Sequence, residues 1–204
     1  MKITKIITLT AVGTVAALQA FAATDTITAS ARFRTAISLT HSADINFTPN
    51  VGDYIDVLGT PGGGDYAKVG TNGSVTYTGT GFSGVSSGTA GHIVIHGDGA
   101  STMVIKCSAS AIISDNATNE NLLDLDQVKV RLNATSVYGT GDTACAGTAG
   151  GDPATLTPTS GTTDDLYIGA RLVGTPNSGT IVNGSTYTTG GTNGAPITVS
   201  VVYQ

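Results

Sequence analysis

Across residues 26–48 apolar and polar side chains alternate with a period of two. The odd positions read Ile27, Ala29, Ala31, Phe33, Thr35, Ile37, Leu39, His41, Ala43, Ile45 and Phe47, while the even positions are polar except for Ala36. Period two marks a half-buried strand, because successive side chains leave the pleat on opposite faces. At ~3.3 Å per residue the whole run would extend about 75 Å, several times an ordinary strand. It must therefore divide, and the division is placed near Thr35. Residues 37–47 are expected to form the domain's own first strand pair. Residues 27–33 are the portion free to complete the sheet of another subunit.

Further strands are expected at 54–58, 73–78, 91–96, 101–109, 122–133, 165–173 and 195–203. In these, Ile93 and Ile95 share a face, as do Met103, Ile105 and Cys107, and Leu166, Ile168, Ala170 and Leu172. Within 122–133 the apolar face changes parity, from Leu123 and Leu125 to Val128, Val130 and Leu132, which predicts a bulge near Gln127. Asn72-Gly73, Asn183-Gly184, Asn193-Gly194 and the Pro-Gly cluster at 60–64 supply turns between strands. This spacing is that of a β-sandwich.

Composition agrees. Glu120 is the only glutamate, Trp is absent and Gly numbers 28, while Thr, Val and Ile dominate the runs, a balance that disfavours helices. The start of the chain reads as a cleaved secretory signal over residues 1–22. Lys2 and Lys5 precede about thirteen largely apolar residues, and Ala20-Phe21-Ala22 supplies the small-x-small cleavage pattern. The apolar stretch falls short of the ~20 residues of a spanning helix. Export through the periplasm to the cell surface or the medium is expected, with 23–35 as an N-terminal strand and 36–204 as a single sandwich domain. Loss of the signal removes two lysines and no acid, leaving seven cationic against fourteen acidic residues. Such a surface offers no electrostatic footprint for nucleic acid or anionic lipid. Cys107 and Cys145 are expected to pair in an oxidising compartment, closing a loop of about 39 residues whose chain entropy is worth roughly 4 kcal/mol.

Catalytic chemistry finds no positive signal. Gly79-Thr-Gly-Phe-Ser-Gly84 fits the dinucleotide fingerprint, but Val85-Ser-Ser-Gly-Thr cannot begin the helix that would cradle a pyrophosphate, so a loop is expected. His92 and His96 share a strand face about 13 Å apart, too far to hold one ion, and are expected in solvent. His41 carries no assigned role. Gly84-Val-Ser-Ser-Gly88 has the letters of a Gly-x-Ser-x-Gly nucleophile elbow, but the elbow needs a strand-to-helix turn and no helix is expected to begin there. Asp124 and Asp126 are expected to face solvent, and Asp164/Asp165 form a second acid pair. Asp142 and Asp152 are the best calcium candidates, although the spacing of a calcium loop is missing. Neither cofactor, metal nor enzymatic activity is expected.

Three stretches point in one direction: the opening run, Asp165-Leu-Tyr-Ile-Gly-Ala-Arg-Leu172, and the ending Ile197-Thr-Val-Ser-Val-Val-Tyr-Gln204. Together they resemble a family of secreted bacterial β-sandwich proteins of unknown function, similar to spore-coat protein U and to chaperone–usher pilins of the colonisation-factor class. The C-terminal signature of pilins has its counterparts in the penultimate Tyr203, the alternation Ile197, Val199, Val201, and Gly191 about fourteen residues from the end. Many pilins carry a disulfide near the N-terminal strands, whereas Cys107 and Cys145 lie mid-chain. The resemblance implies an Ig-like antiparallel sandwich that lacks one strand, with a groove filled by the N-terminal strand of a neighbour. Ile27, Ala29, Ala31 and Phe33 would be the knobs, contributing roughly 5–8 kcal/mol of apolar transfer. It also implies self-association, a periplasmic chaperone and an outer-membrane usher. The expectation is a structural subunit of a surface fibre. The alternative is a monomeric secreted or surface binding module, adhesin-like, recognising sugar or a host surface through the Gly/Thr-rich loop at 139–163.

Overall fold

A computed structural model describes residues 36–97, 103–117, 120–133, 137–139, 141–145, 154–156 and 163–203. The signal segment and the knobs Ile27, Ala29, Ala31 and Phe33 lie outside the described residues. The fold is an all-β sandwich, and no helix occurs among the described residues. They belong to one compact unit, Thr35–Gln204.

The larger sheet contains β1 (Ser38–Ala43), β3 (Tyr66–Val69), β4 (Val75–Thr78), β6 (Gly91–His96), β8 (Ala111–Ser114), β9 (Leu122–Leu132), β10 (Thr143–Ala144) and β12 (Thr163–Val173). Its axis is β12, whose Leu166, Ile168, Ala170 and Leu172 all point into the core. The first half of β12 pairs with β6 and the second half with β3, while β9 runs along its other edge. The smaller sheet has the order β11 (Ala154–Leu156), β7 (Met103–Cys107), β13 (Val199–Tyr203). A third pair joins β2 (Ile55–Val57) to β5 (Phe82–Gly84). All ten strand pairs are antiparallel.

The parity switch in β9 is a bulge. Gln127 has a φ of 44°, and the register against β12 slips between Gly169 and Arg171. One extra residue there lets Leu123 and Leu125 on one side, and Val128 and Val130 on the other, all face inward. The Cys107–Cys145 disulfide forms, with Cα atoms 5.2 Å apart, and ties β7 of the small sheet to the chain leaving β10 in the large one.

Two expectations about strands need correction. Residues 37–47 do not form a strand pair: after β1 only the isolated bridge Asn46↔Thr89 follows, and Ile45 and Phe47 pack as loop side chains against the core. The last strand begins at Val199, not at residue 195. Ala195 bridges to Ile112 on β8, Pro196 has no N–H to donate, and Ile197 lies ahead of the ladder with β7. Gly191 sits in a turn against Ser114 and is not part of β13.

Candidate functional site

One end of the sandwich is closed. Ile95, Met103, Ile105, Val130 and Leu166 are each at most 2% exposed there. The end of β13 packs over the end of β6, where the Tyr203 hydroxyl approaches Gly97. Because Ser38 pairs with His96, β1 also begins at this end.

Among the described residues the other end is left open. A cavity of about 790 Å3 lies between the two sheets. Its floor is Gly91 and Ile93 on β6, Ile168 and Leu172 on β12, and Leu123 and Leu125 on β9. Its walls come from the loop after β1 (Ile45, Phe47), from Ile55 and Phe82 of the β2–β5 pair, from Ile181 and Tyr187, and from Ile197 and Val199 at the start of β13. Gly91 is needed in the floor, since a β-carbon would stand 3.0 Å from Ile45 and 3.2 Å from Ile168. Of the fourteen apolar side chains that touch the core yet stay partly exposed, nine line this cavity. Native cores pack at crystal density, so a cluster of half-covered isoleucines around one void marks a missing layer rather than loose packing.

Both strands that border the open side are edges. Among the described residues β13 pairs only with β7, and β1 only with β6. Along β13 the inward Val199, Val201 and Tyr203 are half-buried, while Ser200 and Val202 face solvent. Leu39 on β1 is exposed. An unpaired edge flanking an apolar trough is the geometry that accepts an additional strand.

The Gly-rich loop binds an anion of its own. Asp65 Oδ1 accepts N–H bonds from Thr80 at 2.8 Å and Gly81 at 3.0 Å, and Oδ2 accepts the Gly62 N–H at 2.7 Å. These three backbone bonds, that of Gly62 foremost, hold the carboxyl below its ordinary range. The amide donors a phosphate would need at residues 80–81 are thereby committed. Asp65 was not read from the sequence, although Pro61-Gly-Gly-Gly-Asp65 is the kind of cluster in which a carboxylate closes a turn.

The outer face of the large sheet carries most of the remaining polar chemistry, largely paired within itself. Arg171 Nε donates to Asp126 at 2.6 Å, which with its other contacts raises the guanidinium pKa further, and the group stacks 3.8 Å from the Tyr66 ring. Arg131 Nε donates to Asp142 at 2.8 Å, and the Asp142 side chain is fully buried. Tyr138 donates to the Gln127 carbonyl at 2.8 Å, and burial pushes its phenol up to about 12.

Two sequence expectations are corrected, that of Asp142 as a calcium candidate and that of His92 as a solvated side chain. Asp124 and Asp126 are partnered, the former accepting from Asn177 at 2.8 Å. Asp142 is committed to Arg131, and Asp152 lies outside the described residues. His92 is not simply solvated: its Nε2 lies 2.8 Å from Asp165 and its ring stacks on Tyr167 at 4.7 Å. His96 is exposed and meets Thr40 at 3.4 Å, and the exposed His41 sits 3.2 Å from Asp44. The neighbouring Asp164 is buried and accepts from Asn133 at 2.6 Å. Among the described residues no three His, Cys, Asp or Glu side chains converge on a point that would hold a metal ion, and no helix is long and apolar enough to cross a membrane.

No protein-family model, curated protein or solved structure matches this chain.

Proposed function

We propose that this protein is an exported, Ig-like structural subunit of a surface fibre, whose cavity accepts the N-terminal strand of a neighbouring copy. The observation that carries the reading is the 790 Å3 cavity opening beside β13, which among the described residues pairs with β7 alone. The alternating segment Ile27, Ala29, Ala31, Phe33 has the complementary form, with apolar knobs on one face and polar residues on the other. Laid along β13, it would satisfy the ladder groups of the edge and place apolar side chains over the half-buried isoleucines.

Chain direction separates donation from self-completion. Ser38 lies at the Tyr203 end of β13, and only four residues, 34–37, separate it from Phe33. A strand that folded back into its own cavity would therefore place Phe33 near Tyr203 and run parallel to β13. An antiparallel strand places Phe33 at the Val199 end, pointing the same way as β1. Joining two such strands within one chain takes a crossover of a dozen or more residues, and four are available. Antiparallel addition to β13 thus requires a second molecule. Every strand pair among the described residues is antiparallel, and antiparallel pairing is the more stable per residue. Export by a cleaved signal and handling by a periplasmic chaperone and an outer-membrane usher complete the proposal. A chaperone would shield the same edge and trough before assembly.

Cysteine pairs on the outward positions test the direction. If the strand is donated, Arg32→Cys with Thr198→Cys, and Thr28→Cys with Val202→Cys, give a ladder of disulfide-linked multimers on mild oxidation. If Thr28→Cys with Thr198→Cys, or Arg32→Cys with Val202→Cys, instead gives an internally cross-linked monomer, the strand belongs to its own sandwich and the fibre reading fails.

A further inference from the structure

We infer that the mouth of the cavity, formed by Val51, Tyr54, Leu58 and Val182, is a body-to-body contact that receives the opposite end of the next copy in the fibre. The inference rests on the strand-donation reading and names a surface which that reading does not require. Seven large apolar side chains are exposed among the described residues: Leu39, Val51, Tyr54, Leu58, Val137, Val182 and Val202. Leu39 and Val202 lie on the two free edges already described. Of the other five, two stand at the mouth and two adjoin it along the chain. Tyr54 and Val182 line the cavity itself and are 61% and 41% exposed. Val51 and Leu58 flank Tyr54 along the chain, and the Val57 N–H donates to Asn183 at 3.4 Å, holding the two segments side by side. Val51 stands at the tip of a turn closed by Asp53 on Asn50, fully in solvent. Single exposed hydrophobics are ordinary, but a group of four beside an unfilled trough is not.

The occupant follows from chain length. In the antiparallel arrangement the donated strand leaves the acceptor at the Val199 end, and this is the end that Tyr54, Val182 and Ile197 surround. From Phe33 to Ser38 is five residue steps, which reach at most about 18 Å when fully extended. The donor's own β1 therefore begins within that distance of the acceptor's mouth, and a bulky domain so tethered comes into contact with it. The end it presents is the one that carries Ile37, the start of β1 and Tyr203. The contact joins opposite ends of the same molecule, so it is heterologous and repeats without closing, as a filament requires.

The test uses the full chain. Val51→Ser combined with Leu58→Ser, neither of which lines the cavity, is compared with wild type and with Val137→Ser, an exposed valine away from the mouth. A synthetic peptide of residues 24–35 is added in excess to each, as a free donor strand that brings no domain with it. Peptide uptake, read as a rise in Tm, should be the same in all three. The polymers of the double variant should exchange subunits about tenfold faster, a loss typical of removing aliphatic anchors from an interface, while Val137→Ser leaves exchange unchanged. If the double variant takes up the peptide and its polymers exchange at the wild-type rate, the mouth is no interface and this inference fails while strand donation stands. If wild type neither takes up the peptide nor polymerises, strand donation fails and the contact with it.

Discussion

The hydroxyl of Tyr203 occupies the space a β-carbon would need at Gly97: built there, that carbon would stand 2.8 Å from the oxygen. This contact closes one end of the sandwich and fixes which end of β13 faces the start of β1. Alanine at Gly97 should push the phenol outward and destabilise the fold by ~1–3 kcal/mol, the usual cost of overpacking. Tyr203→Phe removes the clashing oxygen. The double variant is therefore expected to be more stable than the sum of the two single effects predicts, by at least ~0.5 kcal/mol in a urea-melt cycle. Strict additivity would mean that the two residues do not meet.

The disulfide joins two sheets that share few other covalent or ladder connections. Cys107 pairs across the small sheet with Val199, and Cys145 continues from β10, whose N–H donates to the Val128 carbonyl beside the bulge. Cys107→Ala with Cys145→Ala should lower unfolding stability by roughly 2–5 kcal/mol in guanidinium melts. The same double variant should keep the bulge, because Gln127 is held by Tyr138 from the outer face.

The Asp65 clamp gives a pH dependence of defined sign. Its carboxyl is held below 3.8 by N–H bonds made to the charged form. The stabilisation is therefore fully present above that value and is lost as the pH falls through the lower folded pKa. The thermal midpoint of wild type should drop as the pH is lowered below about 4, the ordinary carboxylate range. Asp65→Asn, which cannot accept from three amides as a charged group, should melt lower at pH 7, with the two curves converging as acid protonates the wild-type carboxyl. A gap that persists at pH 2 would assign the effect to shape instead of charge.

What the sequence disclosed follows from how each part is built. β6, β7, β9 and β12 carry mostly Ile, Leu, Val or Met at inward positions with period two, broken only at the bulge in β9, so their burial is written in the pattern. Even the bulge at Gln127 left a parity change. β3 and β8 are short, and their buried residues are Ala67 and Val69 in one and Ala111 and Ser114 in the other, too small or too polar to register as an apolar stripe. β5 is hidden among glycines, where composition argues for a loop. The cavity had no signature at all. Its walls come from residues 43–57, from Phe82, from 113–125 and from 168–199, and each isoleucine in them reads as an ordinary core residue until the sheets are assembled. The sequence did mark Ile27 to Phe33 as a strand with no obvious partner, and only the assembled fold shows a trough of matching character.

That match predicts a measurable linkage. A ligand that binds the native state alone raises stability by RT ln(1 + [L]/Kd), about 2.7 kcal/mol at a hundredfold excess over Kd. The peptide of residues 24–35 should therefore raise the melting temperature of the full chain in a concentration-dependent way. A peptide in which Ile27 and Phe33 are both replaced by Asp should have no effect, since it would place charges against Ile93 and Ile168 with nothing to pair them. Substituting Ile93→Asn in the protein should remove the response to the wild-type peptide. Ile93 is half-buried and lines the trough, so this change alters its lining without opening a filled part of the core. A scrambled peptide of the same composition that stabilises as well as the native one would show that the trough binds apolar matter without reading alternation, and donation of a strand would lose its physical basis.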